Sequence, residues 1–180
     1  MKVAIQIPKG YDVKREGKNI AISKNGKENK RELFYPLIDI KVNGEFIELE
    51  SKIENKNIKK IIMTFESHIK NMIRGLEKPY IYTLKICASH YPMTVKVEGK
   101  KVIINNYLGE KVPRHCNIIG NAKVSINKDL IIVESIDKEA AGMTAGIIEK
   151  VCQIKIHDRR IFQDGIYIIE KDGKKIWLKI

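Results

Sequence analysis

Apolar and polar residues alternate over much of this chain, and twice the alternation gives way to a three-and-four spacing. Lys18 to Ser23 and Ile40 to Leu49 put alternate side chains on an apolar face, the pattern of strands with one buried side. Asn25-Gly26 and Asn43-Gly44 interrupt these runs and are expected as tight hairpin turns, because they tolerate positive φ. From about Asn57 to Arg74 the period changes. Ile58, Ile61, Ile62, Phe65, Ile69, Met72 and Ile73 fall on one stripe of a helix, with Lys59, Lys60, Glu66 and Lys70 on other faces. Gly75 is expected to end that helix in the left-handed region. Leu76 to Tyr80 then reads as an exit, and Tyr82 to Cys87 as a strand. A second helix is expected from about Asp137, its N-cap, to Gln153. Ala140, Ala141, Gly142, Ala145 and Gly146 make it slender, which suits close packing against a sheet. A strand at Ile166 to Ile169, a turn at Asp172-Gly173 and an apolar run with Ile176, Trp177 and Leu178 follow.

The pattern occurs twice. Val13 to Ile22 resembles Val95 to Ile104 at an offset of 82, and Ile40 to Ser51 resembles Val124 to Ser135 at an offset of 84. A helical block follows each, with Met63-Thr64 opposite Met143-Thr144. Three matches in one order argue for tandem copies of a small domain. Strands grouped with one helix per copy imply an α+β fold, each copy a mostly antiparallel sheet with one packed helix. The expected division is residues 1–80 and 81–180.

Charge adds a partner class to this picture. The 180 residues carry 34 Lys and Arg against 22 Asp and Glu, a formal +12. Such an excess suits a polyanion, nucleic acid above all, although a solvated lysine-rich face has the same composition. Each half holds 17 basic and 11 acidic residues, a net +6, so net charge does not say which half meets the partner. Cys87, Cys116 and Cys152 form no close pair, which argues against a disulfide framework or a zinc site. The opening residues are too short and polar for a signal peptide, and no stretch reaches transmembrane length. A cytoplasmic protein without a membrane partner is expected.

Catalytic chemistry finds little support. His68, His90, His115 and His157 show no metal-ligand spacing. His115 and Cys116 are adjacent on a strand and point to opposite faces, so they make no dyad. Gly142 to Gly146 lies in a helix with no following Gly-Lys-Ser/Thr. No cofactor, metal or catalytic residue is expected. Three basic clusters remain. The first is Lys155, His157, Arg159 and Arg160, the second Lys171, Lys174 and Lys175. The third is Lys96, Lys100, Lys101, Lys111 and Arg114. Guanidinium forks suit bidentate phosphate contacts, and Asp158 alone cannot neutralise both Arg159 and Arg160. Phe162 and Tyr167 read as core anchors, and Asp164-Gly165 as a turn.

Several stretches together resemble one family. Arg159-Arg160-Ile161-Phe162-Gln163-Asp164-Gly165-Ile166-Tyr167 is similar to the C-terminal signature of large-subunit ribosomal protein six, in its archaeal and eukaryotic form. His68 to Gly75, Ser89 to Gly99, Asn106 to Arg114 and Asp137 to Ala140 resemble its other motifs. The resemblance implies a structural ribosomal protein built from a duplicated α+β domain. It implies binding of large-subunit ribosomal RNA beside the sarcin–ricin loop, near the translation-factor site, with neighbouring ribosomal proteins at the stalk base. Carried onto this chain, the RNA contacts would fall on Lys155, His157, Arg159, Arg160, Lys171, Lys174, Lys175, His90, Lys96 and Arg114. A free-standing basic RNA-binding protein is the alternative.

Overall fold

The computed structural model describes residues 2–44, 46–53, 55–154, 158 and 160–176. It divides into two compact units, Met1–Lys78 and Pro79–Ile180.

In the first unit, β1 (Lys2–Gln6), β6 (Phe46–Glu50) and β5 (Asp39–Asn43) form one antiparallel sheet in that order. A second sheet runs β2 (Asp12–Glu16), β3 (Asn19–Lys24), β4 (Lys27–Glu32). The β3–β4 turn is made by Asn25 and Gly26, both at positive φ, as their sequence requires. The β5–β6 turn lies one residue later than expected: Asn43 pairs with Phe46, so the loop begins at Gly44. Helix α1 spans Lys56–Glu77 and buries Ile58, Ile62, Phe65, Ile69, Met72, Ile73 and Leu76. Each such side chain contributes roughly 1.5–3 kcal/mol on leaving water.

Gly75 does not end this helix. It is buried within it, and the helix continues to Glu77. The stop comes from Pro79, whose ring disfavours the helical region for the residue before it. Lys78 accordingly sits at φ −135°, ψ 120°.

The second unit repeats the plan. Strands β8 (Thr94–Glu98), β9 (Lys101–Asn105) and β10 (Arg114–Asn117) make one sheet. The other runs β11 (Lys123–Asn127), β12 (Leu130–Ser135), β7 (Tyr80–Cys87), β13 (Gly165–Lys171), β14 (Lys174–Lys175). Its ladder matches the first unit rung by rung. Val13 faces Ile22, and Val95 faces Ile104. Ile40 faces Leu49, and Val124 faces Val133. The sequence repeat is therefore a repeat of strand register.

Helix α2 (Lys138–Val151) starts at Asp137, whose carboxylate accepts the Glu139 amide at 3.0 Å. Ala141 and Ala145 are fully buried, and a Cβ on Gly142 would lie 3.3 Å from the Tyr82 hydroxyl. Close packing against the sheet thus accounts for the helix's small residues.

Strand β13 has no counterpart in the first unit among the described residues. It pairs antiparallel with the outer edge of β7, with a register shift between Ile168 and Glu170. The Glu149 carboxylate accepts the Ile168 amide at 3.0 Å beside that irregularity. Asp164-Gly165, expected as a turn, is instead the entry to this strand: Gly165 already pairs with Cys87, and Asp164 is 2% exposed.

Candidate nucleic-acid interface

The segment before β13 is braced from three directions. Asp158 organises its first turn: its carboxylate accepts the Arg160 amide at 2.9 Å, and its carbonyl accepts the amides of Ile161 and Phe162. That carboxylate is thus engaged by backbone, and the Arg160 side chain projects from an exposed position. Phe162 packs against the core of the second unit and holds its ring 4.8 Å from the His90 ring. Tyr167 reaches back and donates from its hydroxyl to the Gln163 carbonyl. Lys155, His157 and Arg159 lie outside the described residues.

Asp164 ties this segment to the loop that follows β7. Its carboxylate accepts the backbone amides of Ser89 and His90, and His90 Nδ1 lies 3.0 Å from Oδ2. A carboxylate this buried requires donors on both oxygens, and the loop supplies them. The fold therefore places His90 beside Phe162 and Asp164, although 74 residues separate His90 from Asp164 in the chain.

The second cluster stands elsewhere. Lys171, Lys174 and Lys175 decorate the β13–β14 hairpin, whose turn is Asp172 and Gly173 at φ 49° and 80°. Lys171 is directly opposite Lys174 in the ladder. Like charges so placed repel. This hairpin is at the far end of β13 from Asp164, roughly 20 Å away at 3.3 Å per residue. The two clusters are therefore not one patch.

In the third cluster, Lys96 sits mid-strand on β8, on the solvent side, since its neighbours Val95 and Val97 turn inward. Arg114 is engaged within the unit. Its Nε and Nη2 donate to Glu110, and its Nη1 donates to the Val151 carbonyl at 2.6 Å. The guanidinium lies 4.2 Å from the centroid of the Tyr107 ring. The Arg114 partner holds the Glu110 carboxyl below its ordinary pKa. Arg114 is thus a brace between β10, the Tyr107–Gly109 turn and the end of α2.

Asn106 and Tyr91 were not singled out by charge or spacing, and Asp164 was expected only as part of a turn. Asp164 is found only once Gly165 is known to pair with Cys87, which brings the residue before β13 level with the residues after β7. Asn106 adopts φ 58° and donates from Nδ2 to the Pro92 carbonyl at 2.9 Å. Local sequence does not specify either partner.

Comparison with known proteins gives a consistent picture. Residues 91–165 match the family model described as Ribosomal protein L6. The chain is 42% identical over 170 residues to the large ribosomal subunit protein uL6 of Methanococcus vannielii, covering 94% of this chain and 93% of that one. It is 41% identical to the uL6 of Methanothrix thermoacetophila, over 93% of this chain and 95% of that one. With the uL6 of Haloarcula marismortui the identity is 38%, over 96% and 97%.

Proposed function

The chain belongs to the ribosomal protein L6 family, and on that premise we propose that it is a structural constituent of the large ribosomal subunit that binds large-subunit ribosomal RNA. Arg160 carries the interface reading. It is exposed on a short turn whose backbone is fixed by Asp158 and whose flank is anchored by Phe162 and Asp164. A guanidinium whose backbone is already held by hydrogen bonds has less freedom to lose on meeting phosphate, so binding retains more of the contact energy. Folded RNA is recognised largely through backbone shape and 2′-hydroxyls, which such a surface suits.

The interface so read comprises Arg160, His90 and Lys96 together with Lys155, His157 and Arg159. The Lys171, Lys174 and Lys175 hairpin forms a second contact about one strand-length away. Arg114 supports the surface from within. In the particle, the second unit would meet RNA beside the sarcin–ricin loop, near the translation-factor site. Neighbouring ribosomal proteins would lie at the stalk base, in the cytoplasm. The first unit would chiefly brace the particle.

Among the described residues no group of three or more His, Cys, Asp or Glu could hold a metal ion, and no helix is long and apolar enough to cross a membrane.

Sedimentation and crosslinking test this. The native protein should travel with the large subunit in stoichiometric amount, and Arg160 and the Lys171–Lys175 hairpin should crosslink to large-subunit RNA. A protein found mainly free of the subunit would favour the alternative, an RNA-binding protein outside the ribosome.

A further inference from the structure

We infer that the Ser89–Met93 loop is a preorganised RNA contact in which Tyr91 stacks on a nucleotide base and Asp164 is the positioning residue that holds the loop for it. This rests on the RNA-binding reading and extends it to residues that carry no positive charge.

Tyr91 is 45% exposed, yet its loop is anchored at both ends. At one end Asp164, itself 2% exposed, receives the amides of Ser89 and His90. At the other end Asn106 donates to the Pro92 carbonyl at 2.9 Å. Beneath the ring lies Gly109 at φ 76°, where an added Cβ would sit 3.3 Å from Tyr91 Cε1. Gly109 thus serves two needs: it adopts the left-handed backbone, and it gives the ring a flat seat. The ring is held against the protein on one side and remains open to solvent on the other.

An aromatic ring fixed in this way offers stacking area with little ordering entropy left to lose. Its surroundings favour a base over an apolar protein surface. His90 adjoins it in the chain, and exposed Lys111 follows its seat by two residues. Phe162 links His90 to the turn that presents Arg160. Aromatic faces interleaved with cations are the means by which unpaired bases are held while nearby phosphates are neutralised.

The test is binding of the full-length protein to protein-free large-subunit RNA across a salt series. Tyr91→Ala should weaken binding by about tenfold without changing the salt slope, because stacking releases no counterions. Tyr91→Phe should bind like the parent protein. Asp164→Asn should weaken binding comparably, and adding Tyr91→Ala to it should bring no further loss. Should Asp164→Asn fail to fold, as judged by near-ultraviolet circular dichroism, Asn106→Ala takes its place, since it releases the other end of the loop.

Unchanged binding by Tyr91→Ala, equal weakening by Tyr91→Phe, or a flattened salt slope would overturn the stacking role. Losses that multiply in the double variant would overturn the positioning role. Arg160→Ala run alongside separates the two levels. If it weakens binding and Tyr91→Ala does not, only the Tyr91 assignment fails. If neither weakens binding, the RNA-binding reading fails with it.

Discussion

Arg114 lies over the face of Tyr107, its guanidinium 4.2 Å from the ring centroid, while the Tyr107 hydroxyl donates to the Cys152 carbonyl at 2.6 Å. One half-buried cation thus links the Glu110 carboxylate, a buried phenol and the end of α2. Removing it leaves the Val151 carbonyl and the Glu110 carboxylate without their partner. Arg114→Ala should therefore destabilise the fold by about 2 kcal/mol, the scale of charge-assisted hydrogen bonds and a stacked cation. Urea unfolding measures this. The salt slope of RNA binding should stay unchanged, and a slope lower by about 1 would instead place Arg114 against a phosphate.

Arg160 should show the converse. Its backbone amide is held by Asp158, but its side chain is exposed. Arg160→Ala should leave the unfolding midpoint nearly unchanged. It should reduce RNA affinity and lower the log–log salt slope by about 1, as for one lost phosphate contact. Filter binding between low and moderate salt decides it, and an unchanged slope would remove Arg160 from the interface.

The two helices begin differently although their units share a plan. Asp137 caps α2 by accepting the Glu139 amide, whereas Asn55 at the start of α1 makes no side-chain capping bond among the described residues. Asp137→Ala should cost about 1 kcal/mol, while Asn55→Ala should fall within about 0.5 kcal/mol of no effect. Equal losses in urea unfolding would mean that the caps do not differ.

Alkaline pH should expose the interior of the second unit. Burial raises the Cys152 thiol from its ordinary 9.0 to about 12, and the Tyr107 hydroxyl from 10.0 to about 12. Both groups keep their protons in the folded chain at pH values where the unfolded chain would release them. Their contribution is therefore fully present below about pH 9 and is lost as pH rises toward 12. Cys152→Ala removes one of the two groups. Stability measured from pH 9 to 11 should then fall less steeply, by up to about one proton per molecule. An unchanged slope would show that the thiol does not titrate with unfolding.

Much of the fold was legible because its signals are local or repeated. The offsets of 82 and 84 relate strands that hold matching rungs, with Val13 facing Ile22 as Val95 faces Ile104. The α1 stripe and the Asp137 cap followed from spacing and side-chain chemistry. Gly75 misled because a glycine permits a helix end without requiring one, and Leu76 gains from burial if the helix continues. The candidate site was legible only where it is charged. Arg114 and Arg160 look alike as sequence, and tertiary partners alone distinguish a brace from an exposed guanidinium. Asp164 and Asn106 depend on contacts to Ser89, His90 and Pro92, which no local pattern encodes.

Strand β13 also bears on how the chain avoids itself. Without it, β7 would be a border strand of eight residues, with its outer amides and carbonyls unpaired. Such borders are templates for intermolecular sheet growth. The corresponding border in the first unit is β1, only five residues long, with Lys2 and Gln6 exposed at its ends. A chain truncated before Gly165 should therefore self-associate, visible as increased light scattering at concentrations where the full chain stays dispersed. The segment that presents Arg160 thus runs directly into the strand that seals the sheet, so the proposed RNA contact and the chain's dispersion rest on one continuous stretch.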